Sequence, residues 1–201
     1  YFLAHMRYAD KKLAATFAKY TPISIEDLRD GAFDLDWFKS CYKQLGKERF
    51  AILYDAAKYI SEGNAHTRAR KYADATNGLF SADEVKAQII EKRNKDLLMA
   101  YGLIPLSKSG KITKTAQKEM LKRYIFIQQF HKESKKFGSQ RQSSENLACK
   151  IALNNLARNA HFSDTFRFIL NMETQLIKNQ QQYFEPKEIE NISIYLQVDE
   201  Y

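Results

Sequence analysis

Cationic side chains around one glycine make residues 135–143 the stretch of this chain best suited to chemistry. The stretch reads Lys-Lys-Phe-Gly-Ser-Gln-Arg-Gln-Ser. Gly138 is placed to end one helix and Ser143 to cap the next, whose first N–H groups would face the loop. Helix N-termini bind phosphate or carboxylate well when cations lie nearby. We therefore predict a site for an anion or a nucleic acid at Lys132, Lys135, Lys136, Gly138, Arg141 and Ser143.

A structural interpretation explains the same residues without a ligand. Gly138 would then be an ordinary helix C-cap, and Arg141 would pair with a carboxylate of the scaffold. Lys135 and Lys136 would stabilise the negative end of the preceding helix. We favour this interpretation, and the anion site is the alternative to it.

The net charge of +8 is concentrated in the segment that contains this loop. Of the 32 basic and 24 acidic residues, ten and two respectively lie within 108–141, which leaves 22 of each elsewhere. A patch of one sign attracts phosphates, acidic proteins or nucleic acids at long range. The alternative is a helix with an apolar middle at 120–130 and solvated basic ends. The ten basic residues are Lys108, Lys111, Lys114, Lys118, Lys122, Arg123, Lys132, Lys135, Lys136 and Arg141.

Other residue types form no catalytic or metal-binding pattern. None of the four histidines has a second histidine, a cysteine or a carboxylate at metal-binding spacing on a helix face. Cys41 and Cys149 lie on apolar faces, where thiols are packing groups, and two cysteines are too few for a disulfide framework. No phosphate-binding loop or nucleophile-elbow motif occurs. We expect no cofactor and no metal ion, and a non-enzymatic protein is favoured over an enzyme.

These side chains must be positioned by helices. With 44% hydrophobic and 28% charged residues, the chain is neither disordered nor a membrane protein, and 7 Gly and 3 Pro are too few for a turn-rich β-sandwich. Apolar residues recur at steps of three and four, which is typical of amphipathic helices. Caps, glycines and prolines divide the pattern into helices at about 1–20, 24–30, 34–46, 47–63, 64–77, 81–102, 113–137, 143–159 and 163–182.

Long helices joined by short links favour an all-α fold, in which antiparallel helical hairpins stack in a HEAT-like or irregular solenoid arrangement. One C-terminal β-strand completes this fold class. The expected units are N-terminal hairpins at 1–102, a basic linker at 103–113, long helices at 114–185, and a strand at 186–201 that leads to a missing downstream domain.

The C-terminal strand is predicted from the alternation of apolar and polar residues over 192–198. No other run of this kind offers a partner, and an unpaired strand is marginal in water, so we predict that the partner strand lies downstream of residue 201. The apolar helical pattern already begins at the first residues, which indicates an excerpt of a longer protein. Two free thiols and the lack of an export signal favour a cytoplasmic location without a membrane span.

Four segments resemble a known group of proteins. They are 53–69 (LYDAAKYISEGNAHTRA), 133–145 (ESKKFGSQRQSSE), 155–160 (NLARNA) and 183–189 (YFEPKEI). Together they resemble the large bacterial proteins of unknown function that carry a MolR-like (molybdate-metabolism-regulator-like) C-terminal domain, some with a WGR module. The resemblance spans 35–198 and implies a helical, repeat-like internal region of a much longer cytoplasmic protein. It carries over no catalytic residues.

Two functions therefore compete. The first is a non-catalytic helical scaffold or protein-interaction segment, whose partner is another protein or the rest of its own polypeptide. The second is a module that uses the basic segment 108–141 to bind nucleic acid, phosphate or another polyanion. The distribution of these cations over the folded surface distinguishes the two.

Overall fold

The computed structural model describes residues 2–5, 10–60, 65–107, 110, 112–180, 185–190 and 192–194. Of these residues 74% lie in helices, which confirms the all-α fold class. The described elements are a 3₁₀ turn at Phe2–His5, α1 (Lys11–Phe17), α2 (Ile25–Asp30), α3 (Leu35–Ile60), α4 (Ala65–Thr76), α5 (Ala82–Lys92), α6 (Lys95–Tyr101), α7 (Lys114–Ser134), α8 (Ser139–Asn159), α9 (Thr165–Gln180), β1 (Lys187–Ile189) and β2 (Ile192–Ile194).

Short polar side chains fix the starts of α2 and α3, as the sequence predicts. The hydroxyl of Ser24 accepts a hydrogen bond from the backbone N–H of Asp27 at 3.1 Å. The carboxylate of Asp34 accepts one from the N–H of Trp37 at 2.9 Å. Each bond satisfies an N–H group that a helix start leaves without an intrahelical partner. The sequence predicts Ser24 as the cap of the first helix and Asp34 or Asp36 as the cap of the second; the structure confirms Ser24 and selects Asp34.

Gly46 interrupts α3 at the residue that was predicted to end a helix. Its φ of 76° and ψ of 166° lie outside the helical region. Glycine adopts such a conformation more readily than other residues because it has no Cβ. Helix α3 is therefore two helical runs that meet at a kink, which confirms the predicted break.

The single helix predicted over 81–102 is two helices, α5 and α6. Arg93 follows α5 in the left-handed conformation, with φ 45° and ψ 45°. Asn94 then caps α6, because its side chain accepts a hydrogen bond from the N–H of Leu97 at 3.1 Å. The prediction of one continuous helix is therefore wrong. The sequence did not indicate the break, because no glycine or proline lies there. Ion pairs made by the Arg93 side chain, described below, hold the turn instead.

Helix α8 lies at the centre of the stack and contacts α3, α6, α7 and α9. Its approach to the end of α6 is close because Gly102 has no side chain. A Cβ at Gly102 would lie 2.6 Å from the carbonyl oxygen of Ala152 and 2.9 Å from the backbone nitrogen of Leu156. The side-chain amide of Asn159 donates to the carbonyl oxygens of Gly102 and Ile104, at 3.0 and 2.7 Å. Polar groups that α6 leaves unpaired at its end are thus satisfied by α8.

A buried arginine of α7 fixes the same stretch of chain from another side. Arg123 donates to the carbonyl oxygens of Tyr101 and Ile104, at 3.2 and 2.6 Å. Its Nε lies 2.8 Å from a carboxylate oxygen of Glu119, one turn earlier on α7. Because the charge is both paired and hydrogen-bonded, it is tolerated in the interior.

The N-terminal helices close onto α8 through residues that are distant in sequence. Arg158, near the end of α8, donates to the carbonyl oxygen of Phe33 at 2.8 Å, across 125 residues. Phe33 and Phe38 belong to the same hydrophobic core as Leu156. One core therefore includes residues on both sides of the predicted linker at 103–113.

The C-terminal strand finds its partner within this chain. Strands β1 and β2 pair antiparallel, with Lys187 opposite Ile194 and Ile189 opposite Ile192. The prediction of one strand without a partner in this chain is therefore wrong for 192–194, and residues 195–198 lie outside the described residues. The sequence did not predict the partner strand, because β1 is three residues long and too short to show an alternating pattern.

Candidate functional site

Helices α5 and α7 face each other across a groove of about 420 Å³. Each helix contributes residues spaced three or four apart, which places them on one face of that helix. The groove is therefore formed by two regular helix faces. Its lining residues are Lys86, Ile90 and Arg93 of α5 and its end, and Lys122, Ile125, Phe126, Gln129, Phe130 and Glu133 of α7.

The floor of this α5–α7 groove is aromatic and its rims are aliphatic. Phe126 and Phe130 are only 8% and 4% exposed, so they close the groove toward the core. Ile90 on one helix and Ile125 on the other are 62% and 43% exposed. These two large aliphatic side chains face solvent on opposite sides of the concave surface.

Two lysines give the groove its charge. The Nζ of Lys86 lies 5.3 Å from the centre of the Phe126 ring, a cation–π contact, and Lys122 lines the opposite side. Within the part of the chain that the structure describes, neither lysine has a carboxylate oxygen within 4 Å. Both charges are therefore available to a partner.

A compact ion-pair network closes one end of the groove around Arg93. Its guanidinium lies 2.9 Å from Glu133 and 2.7 Å from Glu145, and it also donates to the carbonyl oxygen of Phe130 at 3.3 Å. The same guanidinium stacks 4.0 Å from the centre of the Phe130 ring. Five N–H donors in a planar fork allow one arginine to bridge several acceptors in this way. Arg93 thereby joins α5, α7 and α8.

Glu145 is the buried centre of this network, with a side chain that is 2% exposed. Burial alone would raise the pKa of its carboxyl, but the hydrogen bonds from Arg93 and Arg141 outweigh burial and hold the pKa below its ordinary value. The Nε of Arg141 lies 3.0 Å from the Glu145 carboxylate. Arg141 also stacks 4.0 Å from the centre of the Phe137 ring. The two arginines therefore share one carboxylate.

Comparison with known proteins places this chain in a family. The family model described as Family of unknown function (DUF5724) matches residues 1–172. The chain belongs to this family. No curated protein and no solved structure matches it. The match covers α1–α8 and the start of α9, and hence the whole α5–α7 groove, whereas the resemblance to proteins with a MolR-like domain stays a prediction.

In this DUF5724 chain, the structural interpretation of Arg141 is correct, because it pairs with Glu145. The predicted roles of Gly138 as the C-cap of the first helix and of Ser143 as the N-cap of the second are wrong. Helix α7 ends at Ser134, and Gly138 takes an extended conformation, with φ −60° and ψ 157°, at the N-cap position of α8. Ser143 lies inside α8 and is exposed. The error arises because glycine is most common at the C-terminal end of helices but also occurs at the N-cap position.

The remaining residues of the predicted anion site are three exposed lysines, Lys132, Lys135 and Lys136. They lie at the C-terminal end of α7, beside the Arg93 network. No carboxylate oxygen lies within 4 Å of their ammonium groups among the described residues. Anion binding at this corner stays a prediction.

The ten basic residues of the segment 108–141 have different surroundings. Arg123 is buried and Arg141 is paired, so neither offers a free charge, and Lys108 and Lys111 lie outside the described residues. The position of Arg123 in the apolar run 120–130, one turn after Glu119, is the sequence signal that could have indicated its burial.

Among the residues with described positions, no three His, Cys, Asp or Glu side chains gather as a metal site would require. None of the described helices combines the length and the apolar character needed to cross a bilayer. Cys149 is buried in the core, and burial raises the pKa of its thiol to about 12, so it is protonated at neutral pH.

Proposed function

We propose that this domain is a protein-interaction module, which binds an acidic amphipathic segment of a polypeptide in the α5–α7 groove. The observation that carries the proposal is the meeting, in one groove, of exposed aliphatic rims with two lysines that have no carboxylate partner among the described residues. An amphipathic helix laid in such a groove buries apolar residues against Ile90 and Ile125. Its acidic residues reach Lys86 and Lys122.

The lining favours an acidic peptide over a nucleic acid. Proteins that bind single strands stack bases on accessible aromatic faces. The rings of Phe126 and Phe130 are almost fully buried, and the cations of Lys86 and Arg93 already cover them. An acidic peptide needs no free ring face.

The test uses a labelled peptide in which leucine and glutamate repeat at helical spacing, together with a scrambled isomer that has no apolar face. We expect the amphipathic peptide to bind, as measured by fluorescence anisotropy, and the isomer to bind much more weakly. Changing both Lys86 and Lys122 to Glu should lower the affinity about tenfold or more, because two attractions become repulsions. The matched control is Lys92→Glu, since Lys92 is exposed on α5 but does not line the groove.

Replacement of Ile90 by serine tests the apolar part of the interaction separately. We expect weaker binding at unchanged salt dependence, because the change removes apolar area and no charge. Equal binding of the two peptide isomers, or equal affinity of the groove variants and the control, would contradict the proposal.

A second candidate function is polyanion binding at the corner formed by Lys132, Lys135 and Lys136. It is supported by the exposure of these three lysines and by the lack of nearby carboxylates among the described residues. Changing Lys135 and Lys136 to Glu should then reduce the slope of log affinity against log salt for single-stranded DNA by about 1.4. Lys150→Glu, an exposed change on α8, is the control. An unchanged slope would contradict this candidate.

A further inference from the structure

We infer that a second concave site binds a neutral saccharide, whose sugar ring stacks on an exposed aromatic side chain. The site is a cleft of about 570 Å³ between the chain that follows α1, the start of α3 and the end of α8. Its volume lies within the range of roughly 300–1,000 Å³ that is usual for small-molecule sites. It shares no lining residue with the α5–α7 groove, so the inference does not depend on the proposed function.

Two parallel aromatic rings line this cleft. The rings of Tyr20 and Trp37 are inclined by only 7°, and their centres lie 6.3 Å apart. A flat group inserted between them would need about 7 Å, twice the contact distance of roughly 3.5 Å between carbon atoms, so a ligand must stack on an outer face. Tyr20 is 63% exposed and leaves much of its ring uncovered. The negative face of such a ring attracts the C–H groups that a sugar with equatorial hydroxyls presents on its flat side.

Arg158, near the end of α8, supplies hydrogen-bond donors to the cleft. Its Nη1 donates to the carbonyl oxygen of Phe33 at 2.8 Å. Its Nε and Nη2 donate to no acceptor among the described residues, and neither is a buried atom. The guanidinium is thus held by the backbone on one side and open on the other. Its rigid fork can donate to two neighbouring hydroxyl oxygens.

Asp36, in the first turn of α3, supplies an acceptor. It is exposed, and no cationic nitrogen lies within 4 Å of its carboxylate among the described residues. Asp34 also lines the cleft, but its two oxygens already accept hydrogen bonds from the Thr21 hydroxyl and the Trp37 N–H. The carboxylates repel an anion, and the guanidinium of α8 repels a cation. A neutral ligand rich in hydroxyl groups, which both donate and accept, therefore matches this lining.

Cellobiose, which consists of two glucose rings with equatorial hydroxyls, is the probe. Sorbitol is the control with hydroxyls but no ring, and adenine is the control with a flat aromatic ring but no hydroxyl. Isothermal titration calorimetry should detect cellobiose binding that exceeds the binding of either control. The affinity should not change between about 50 and 500 mM salt, because the ligand carries no charge. Trp37 is the single tryptophan of the sequence, so its fluorescence should change with the same midpoint.

Tyr20→Ala removes the stacking surface and should weaken cellobiose binding about tenfold. Tyr20→Phe keeps the ring and should keep most of the affinity. The matched control is Tyr59→Ala, since Tyr59 is 79% exposed on α3 and does not line the cleft. Asp36→Ala removes an acceptor and should weaken binding about threefold or more.

Undetectable cellobiose binding, or binding of sorbitol or adenine that equals it, would overturn the inference. Binding without a change in Trp37 fluorescence would place the sugar elsewhere and would overturn it too. Circular dichroism checks that each variant is folded. Full affinity in a folded Tyr20→Ala variant would refute the stacking. If that variant unfolds, Asp36→Ala decides, and full affinity there would equally refute the site.

Discussion

The α6–α8 contact and the α5–α7 groove are two solutions to the packing of neighbouring helices. At the first, Gly102 has no side chain, so the backbones of α6 and α8 approach closely. The amide of Asn159 pairs the backbone carbonyl groups there. At the second, Phe126 and Phe130 form the floor of the groove, and the ammonium groups of Lys86 and Lys122 have no carboxylate partner among the described residues. The difference lies in side-chain volume and in the pairing of polar groups. Close contact makes the first region structural, whereas the open second region can accept a partner.

The largest expected effect comes from Gly102→Ala, which adds a Cβ against the backbone of α8. Because two backbone atoms of α8 would lie within 3 Å of it, the helices must separate. We expect a loss of about 3 kcal/mol in the free energy of unfolding, measured by urea denaturation. At Gly138 an added Cβ meets no atom within 4 Å, so Gly138→Ala should cost at most about 1 kcal/mol. Equal losses for the two variants would break the comparison.

Asn159→Leu tests the polar half of the α6–α8 contact. It removes the donor to the carbonyl oxygen of Gly102, while Ile104 keeps its hydrogen bond from Arg123. We expect a loss of about 2 kcal/mol, because one buried carbonyl is left unpaired. Urea denaturation measures this loss. A change below 0.5 kcal/mol (about the size of a neutral surface substitution) would show that water replaces the amide.

Glu145→Gln tests the ion-pair network at the end of the groove, and we expect it to cost about 1.5 kcal/mol at neutral pH. The folded pKa of Glu145 lies below its ordinary value of 4.5, so the unfolded chain takes up the proton more readily. The stability that this charge contributes is therefore fully present above about pH 5 and is lost as the pH falls through the folded pKa.

The difference in unfolding free energy between wild type and Glu145→Gln should accordingly be constant above about pH 5 and shrink in more acidic solution. Urea denaturation at a series of pH values measures it. Glu133→Gln serves as the comparison, since Glu133 is more exposed and its loss should matter less. A difference that grows on acidification would contradict the assignment of Glu145 as an ionised partner of two arginines.

The smallest expected effect belongs to the groove itself. Changing Lys86 and Lys122 to Gln should lower the free energy of unfolding by less than about 1 kcal/mol, because neither lysine has an ion-pair partner among the described residues and only the cation–π contact of Lys86 with Phe126 is lost. Thermal and urea denaturation measure this change. A cost above about 1 kcal/mol would mean that the two lysines stabilise the fold, which would contradict the statement that their charges are available to a partner.

Local signals in the sequence predict most of the fold. Ser24 and Asp34 bond to a backbone N–H three residues later, and Gly46 changes the conformation of its own backbone. The two caps and the break in α3 therefore follow from short-range rules. The break at Arg93 does not, because the left-handed conformation is uncommon for residues other than glycine, and the carboxylates that pair with Arg93 are distant in the sequence. The hairpin does not follow either, because β1 is only three residues long and shows no alternating pattern that would identify it as the partner of β2.

The sequence likewise predicted one part of the candidate site and not the other. Residue types alone indicated Arg141, which lies in the first turn of α8 and shares the Glu145 carboxylate with Arg93. The α5–α7 groove was not predictable, because the spacing of Lys86 and Ile90 describes one face of α5 without indicating which helix faces it. A pair of faces becomes visible only when the packing of both helices is known.

The bond between Arg158 and the carbonyl oxygen of Phe33 has a consequence for biosynthesis. A ribosome adds roughly 5–20 residues per second, so the 125 residues between these partners take on the order of ten seconds to emerge. During that interval α3 lacks the helix that closes its side of the core. The nascent chain therefore exposes apolar surface of α3 until α8 is complete, and transiently exposed surface of this kind is prone to aggregation.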